Sequence, residues 1–128
     1  MGYTLIYKTK EFISLMKKER LADSDLIRAC KEMSQGLYDA DLGGGLYKKR
    51  IASLSKGKQG GYRTIVGANV GDKYFFLYAF AKSSRANINS KEKLALKELA
   101  RLFLAFSTIQ LNQLVESGEL FKVEITNE

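Results

Sequence analysis

Apolar positions change their period along the chain, and each change marks a new element. Thr4 to Tyr7 is a short run of strand formers, and Phe12, Leu15 and Met16 follow at helical spacing, so a strand and a short helix open the chain. Asp23 or Ser24 suits the N-cap of a second helix carrying Leu26, Ile27, Cys30 and Met33 on one stripe, with Gly36 as its stop. The two helices are expected to form a hairpin. From Leu46 the pattern becomes strand-like, and the runs Leu46 to Leu54, Tyr62 to Val70 and Tyr74 to Ala81 predict three consecutive antiparallel strands. Ser55 to Gly61, rich in lysine and glycine, suits an exposed turn, and Gly71-Asp72 is a hairpin signal. The run Tyr74 to Phe80 is apolar on both pleat faces, which predicts a central strand covered on each side, its rings serving as core rather than as a base-stacking platform. Asn89 with Glu92 three residues later forms a capping box for a helix whose apolar face holds Leu96, Leu99, Phe103 and Phe106. Ser107 restarts the helix at a new angle, Gly118 ends it, and Leu120, Phe121, Val123 and Ile125 complete the chain as an edge strand. The fold class expected is α+β.

A length of 128 residues suits one domain, taken here as residues 1–128, and 45% hydrophobic with 27% charged residues is the balance of a folded soluble chain. No long apolar run is present, and the opening MGYTLIYKTK lacks the apolar core of a signal peptide, so a cytoplasmic protein without a membrane partner is expected. The single cysteine, Cys30, sits in an apolar helical stripe and reads as a small buried hydrophobe. The chain contains no histidine, which removes serine and cysteine triads, histidine-ligated zinc and histidine-pair ribonucleases. No metal or cofactor is expected, and any chemistry falls to Lys, Arg, Tyr, Asp or Glu.

Charge then narrows the class of partner. The net charge of +7 favours a polyanion, and the basic residues are concentrated: between Asp41 and Asp72 there is no acid, while Lys48, Lys49, Arg50, Lys56, Lys58 and Arg63 all fall there. A solvated turn accounts for Lys56 and Lys58. It accounts less well for the others. Strand alternation puts Lys48 and Arg50 on one face and Lys49 on the other beside Tyr47 and Ile51, and a simple hairpin register adds Arg63 to one of those faces. Like charges gathered in a sheet cost folding energy unless an anion arrives, so this cluster is a candidate functional site.

Three blocks of residues then carry a likeness: Asp39-Ala-Asp-Leu-Gly-Gly-Gly-Leu-Tyr-Lys-Lys-Arg-Ile-Ala, Gly-Lys-Gln-Gly-Gly-Tyr-Arg-Thr-Ile-Val at 57 to 66, and Phe80-Ala-Lys-Ser-Ser-Arg-Ala-Asn-Ile. Together, in this order, they resemble the HigB branch of the RelE/ParE toxin superfamily over nearly the whole chain. The resemblance implies a compact antiparallel sheet with an N-terminal helix pair on one face and C-terminal helices. It also implies a type II toxin: a ribosome-dependent mRNA endonuclease, metal-independent, that inhibits translation. A cognate antitoxin with a helix-turn-helix fold would neutralise it. Carried over position by position, the catalytic residues become Lys48, Arg50, Arg63, Lys82 and Arg85. Lys49, Lys56 and Lys58 suit contacts to mRNA and ribosomal RNA.

Metal-free RNA cleavage proceeds by attack of the 2′-hydroxyl on the adjacent phosphorus while charge builds on the nonbridging oxygens. Arg63 and Arg85 suit that charge, since guanidinium stays protonated and offers a planar fork of donors. A lysine can act as base where neighbouring cations favour its neutral form, which nominates Lys48, leaving Lys82 as acid or second phosphate clamp. Two rivals remain at this level: a ParE-like toxin that inhibits gyrase by binding alone, and a noncatalytic RNA-binding regulatory module.

Overall fold

The computed structural model describes residues 4–52 and 61–125. Its centre is set by two strands on which most side chains are apolar: β4 (Gly61–Asn69) and β5 (Lys73–Ala81). Such strands are stable only with a layer on each face. The rest of the sheet is β1 (Leu5–Thr9), β2 (Ala40–Gly43), β3 (Leu46–Ala52) and β6 (Leu120–Lys122), in the order β2-β3-β4-β5-β1-β6. Lys73 to Ala81 is thus an interior strand, as its two-sided apolarity implies, and β6 lies on an edge.

The three strands expected after Leu46 are present, consecutive and antiparallel. The first is described as far as Ala52, and the turn expected from Ser55 lies outside the described residues. Two features correct the sequence reading. The sheet is mixed, because β1 runs parallel to β5, and a short strand, β2, precedes β3. A β-bulge in β5 is a third feature: Ile65 faces Tyr78 and Val66 faces Phe76, so Leu77 is an extra residue and the alternation of β5 shifts phase there.

One face carries α1 (Lys10–Glu19) and α2 (Asp23–Ser34), which cover Ile6, Ile51, Val66, Tyr74 and Phe76. Helix α1 rests mainly on β5 and α2 on β3, so the two share a face but meet the sheet more than each other, unlike a tight hairpin. Neither Asp23 nor Ser24 caps α2. Ala22 holds the N-cap position, and Asp25, in the first turn, accepts its backbone N–H at 2.9 Å. Cys30 is buried on this face, and burial pushes its thiol up, away from the thiolate.

The opposite face carries α3 (Ser90–Ala105) and α4 (Thr108–Glu116) over Leu46, Ile65, Phe75 and Leu77. The capping box of α3 is formed: Asn89 Oδ1 accepts from Glu92 N, and Glu92 Oε1 accepts from Asn89 N, each at 2.8 Å. Ser107 and Gln110 do the same for α4, where the helix restarts. Helix α3 lies close to the sheet at Gly67, where an added Cβ would stand 2.8 Å from the Ala100 Cβ. No helix among the described residues is long and apolar enough to cross a membrane.

Candidate nucleic-acid interface

Register decides which cations meet. Arg50 pairs directly with Arg63, which in turn faces Phe80; the neighbouring row runs Lys48, Ile65, Tyr78. Ile65, Phe80 and Tyr78 pack with the cluster under α3 and α4, so both rows belong to that face of the sheet. Lys48, Arg50 and Arg63 therefore come together, with two aromatic residues at their flank. The covering helix contacts the sheet lower down, at Gly67 and Leu46, and Arg50 remains exposed with Lys48 and Arg63 partly so.

Two arginines directly opposite one another repel, and the chain supplies a partial counter-charge. Asp39, just before β2, donates its N–H to the Lys48 carbonyl at 2.8 Å, accepts from Arg50 N at 3.2 Å through Oδ1, and sets Oδ2 3.5 Å from Arg63 Nε. It holds β3 and steadies Arg63 at one edge of the guanidinium. The Arg50 side chain lies across Gly61, where a Cβ would stand 3.0 Å from Nε. Lys48, Arg50 and Lys82 form no ion pair among the described residues.

Arg85 differs from the expectation of a free phosphate fork. Its Nε donates to the Asn87 carbonyl at 3.0 Å, and Nη1 is shared by the Tyr78 hydroxyl at 3.3 Å and Glu92 Oε2 at 3.0 Å. Nη2 donates to Glu92 Oε1 at 2.5 Å, and the guanidinium lies 5.6 Å from the Phe80 ring centroid. All but one of its N–H groups are committed. Hydrogen bonding to Glu92 holds the Arg85 guanidinium even more firmly protonated, and the same bond, with the Asn89 backbone, holds the Glu92 carboxyl below the usual carboxylate range. Arg85 is thus at the site but already neutralised by a built-in acid.

Lys49 is the plain correction. It lies on the opposite face, buried, with Nζ 2.7 Å from Glu32 Oε1 of α2, and Thr64 Oγ1 donates to its carbonyl at 2.8 Å. A cation so enclosed and paired ties α2 to β3. Lys56 and Lys58 lie outside the described residues. Lys82 is exposed in the turn after β5.

A concavity of about 400 Å³ lies against α2, lined by Asp25, Arg28, Glu32, Arg50 and Ile51 among others. Its two carboxylates oppose a phosphate, so the open basic rows on the other face are the better match to a polyanion. Sequence reasoning missed Asp39, Glu92 as a partner of Arg85, and Tyr78. The capping box was the available signal for Glu92; nothing local signals the others.

No curated protein matches the chain by sequence. The family model described as RelE toxin of the RelE/RelB toxin-antitoxin system matches residues 4–123, which takes in all six strands and both helix layers. With that match over an α+β fold of this layout, the chain belongs to the RelE toxin family.

Proposed function

We propose that the chain is the toxin of a type II toxin-antitoxin pair of the HigB branch, a ribosome-dependent mRNA endonuclease that works without a metal and stops translation. The observation that carries this reading is the cross-strand meeting of Lys48, Arg50 and Arg63 on an open face. A gyrase inhibitor acting by binding alone has no need of such a row.

In the proposed reaction Lys48 takes the proton of the 2′-hydroxyl as that oxygen attacks phosphorus. Arg63 and Arg50 across from it stabilise the charge that builds on the nonbridging oxygens. Lys82 is a further phosphate contact at the rim. The ribosome presents the mRNA strand, and contacts to ribosomal RNA fix orientation without choosing sequence. The cognate antitoxin is expected to be a helix-turn-helix protein.

The test is cleavage of mRNA on programmed ribosomes, mapped by primer extension. Discrete cuts within translated codons are expected for the native chain. Arg63→Ala should retain its fold and lose about 10²- to 10³-fold in rate, the scale on which a preorganised donor to a transition-state oxyanion acts. Lys48→Met should lose at least as much. Near-native rates in both Lys48→Met and Lys48→Arg would remove the base role, and DNA damage without RNA cuts would replace the nuclease by a gyrase inhibitor.

A further inference from the structure

The committed guanidinium of Arg85 raises the question of what it positions. Glu92 is anchored twice, by its hydrogen bonds with Asn89 and by the paired bonds from Arg85, and the Arg85 plane rests on Phe80. Of the two remaining contacts of Arg85, Nε donates to the Asn87 carbonyl and Nη1 directs an N–H at the Tyr78 oxygen. A phenol oxygen that accepts from a cation keeps its own O–H proton to donate elsewhere. Tyr78 is only partly buried, and it occupies the row Lys48, Ile65, Tyr78, one row from Arg63.

We propose that Tyr78 is the proton donor to the departing 5′-oxygen, and that Arg85 and Glu92 are positioning residues that hold its hydroxyl in place. This rests on the nuclease reading above and deepens it. Lys48 and Tyr78 stand on strands two apart, about 10 Å between backbones. A phosphodiester held between the Lys48 and Tyr78 side chains, which are both only partly buried, would then have the base on one side and the acid on the other, as in-line displacement requires. In the step, the 2′-oxygen to phosphorus bond forms as the phosphorus to 5′-oxygen bond breaks. The 2′-hydroxyl proton passes to the Lys48 nitrogen, and the Tyr78 proton passes to the leaving oxygen. The products are a 2′,3′-cyclic phosphate and a 5′-hydroxyl, and solvent returns Lys48 and Tyr78 to their starting forms. Tyr78 takes the acid role first given to Lys82, which is exposed and held by no ion pair among the described residues.

The experiment uses the full-length toxin on ribosomes programmed with either of two mRNAs: an ordinary one, and one carrying a 5′-bridging sulfur at the mapped cut. A thiolate leaves without protonation, so loss of a proton donor is repaired on the sulfur substrate, whereas loss of structure is not. Tyr78→Phe is expected to cleave ordinary mRNA about 10²- to 10⁴-fold more slowly, the range for a general acid, and to approach the native rate on the sulfur-bridged one. Glu92→Gln, which keeps an acceptor for Asn89, should show a smaller defect with the same repair. A Tyr78→Phe rate unchanged on ordinary mRNA, or a defect equal on both substrates, overturns the proposal. If the native toxin cuts neither mRNA, the nuclease reading itself has failed, and the two failures are told apart by that control.

Discussion

At the scale of single residues, the consecutive lysines Lys48 and Lys49 have opposite fates. Strand alternation alone separates them, and that much is legible in the sequence: one faces α3 with Arg50, the other lies beside Tyr47 and Ile51. The sequence does not reveal that Lys49 meets Glu32, because the partner is on another element and only the packing of α2 on β3 brings them together. The pair is one-sided, with Lys49 buried and the Glu32 side chain half-exposed: removing the lysine leaves a carboxylate that water can solvate, while removing the glutamate strands a buried ammonium. Lys49→Met is therefore expected to leave stability within about 1 kcal/mol of native and mRNA cleavage unchanged. Glu32→Ala should cost about 1–3 kcal/mol, since the buried ammonium loses its acceptor. Urea unfolding midpoints and the ribosome cleavage assay measure both, and a loss of cleavage in Lys49→Met with native stability would return that lysine to the RNA site.

Between elements, what is legible depends on whether the determinant is local. The three strands after Leu46 and the two capping boxes follow from spacing within a few residues, so they can be read directly. The parallel pairing of β1 with β5 joins residues more than sixty positions apart, and the four-residue β2 is too short and glycine-rich to show a period. The bulge at Leu77 matters most for the site. Strict alternation would group Tyr78 with Tyr74 and Phe76 beneath the N-terminal helices, and the extra residue moves it to the basic face. An apolar run such as Tyr74 to Phe80 gives no polar marker of the phase change, which is why its rings read as core. The layer above depends on one small residue: a Cβ at Gly67 would stand 2.8 Å from the Ala100 Cβ and 3.2 Å from its backbone Cα. Gly67→Ala must push α3 off β4, and overpacking of this kind costs about 1–3 kcal/mol, offset by less than about 1 kcal/mol from a stiffer unfolded chain. A lowered urea midpoint at unchanged slope is the expected result, and an unchanged midpoint would mean that α3 yields freely.

For the molecule as a whole, a net charge of +7 says that a polyanion is attracted but not where it lands. The fold answers by sorting the cations: Lys49 is enclosed, Arg85 is paired with Glu92, Arg101 with Glu98, while Lys48 and Arg50 have no acidic partner among the described residues. Bulk charge and site charge can therefore be separated experimentally, because substitutions that change the net charge by the same amount differ in whether a phosphate contact is lost. Binding of a single-stranded RNA should weaken steeply as salt rises, and each phosphate contact removed should flatten the slope of log affinity against log salt by about 0.7. Arg50→Gln and Lys48→Gln are expected to flatten it by roughly that amount each. Lys49→Met and Arg101→Gln, which lower the net charge equally, should leave the slope almost unaltered. Equal flattening by all four would show that the RNA senses only the average field of a basic protein, and the row formed by β3 and β4 would lose its standing as a binding surface.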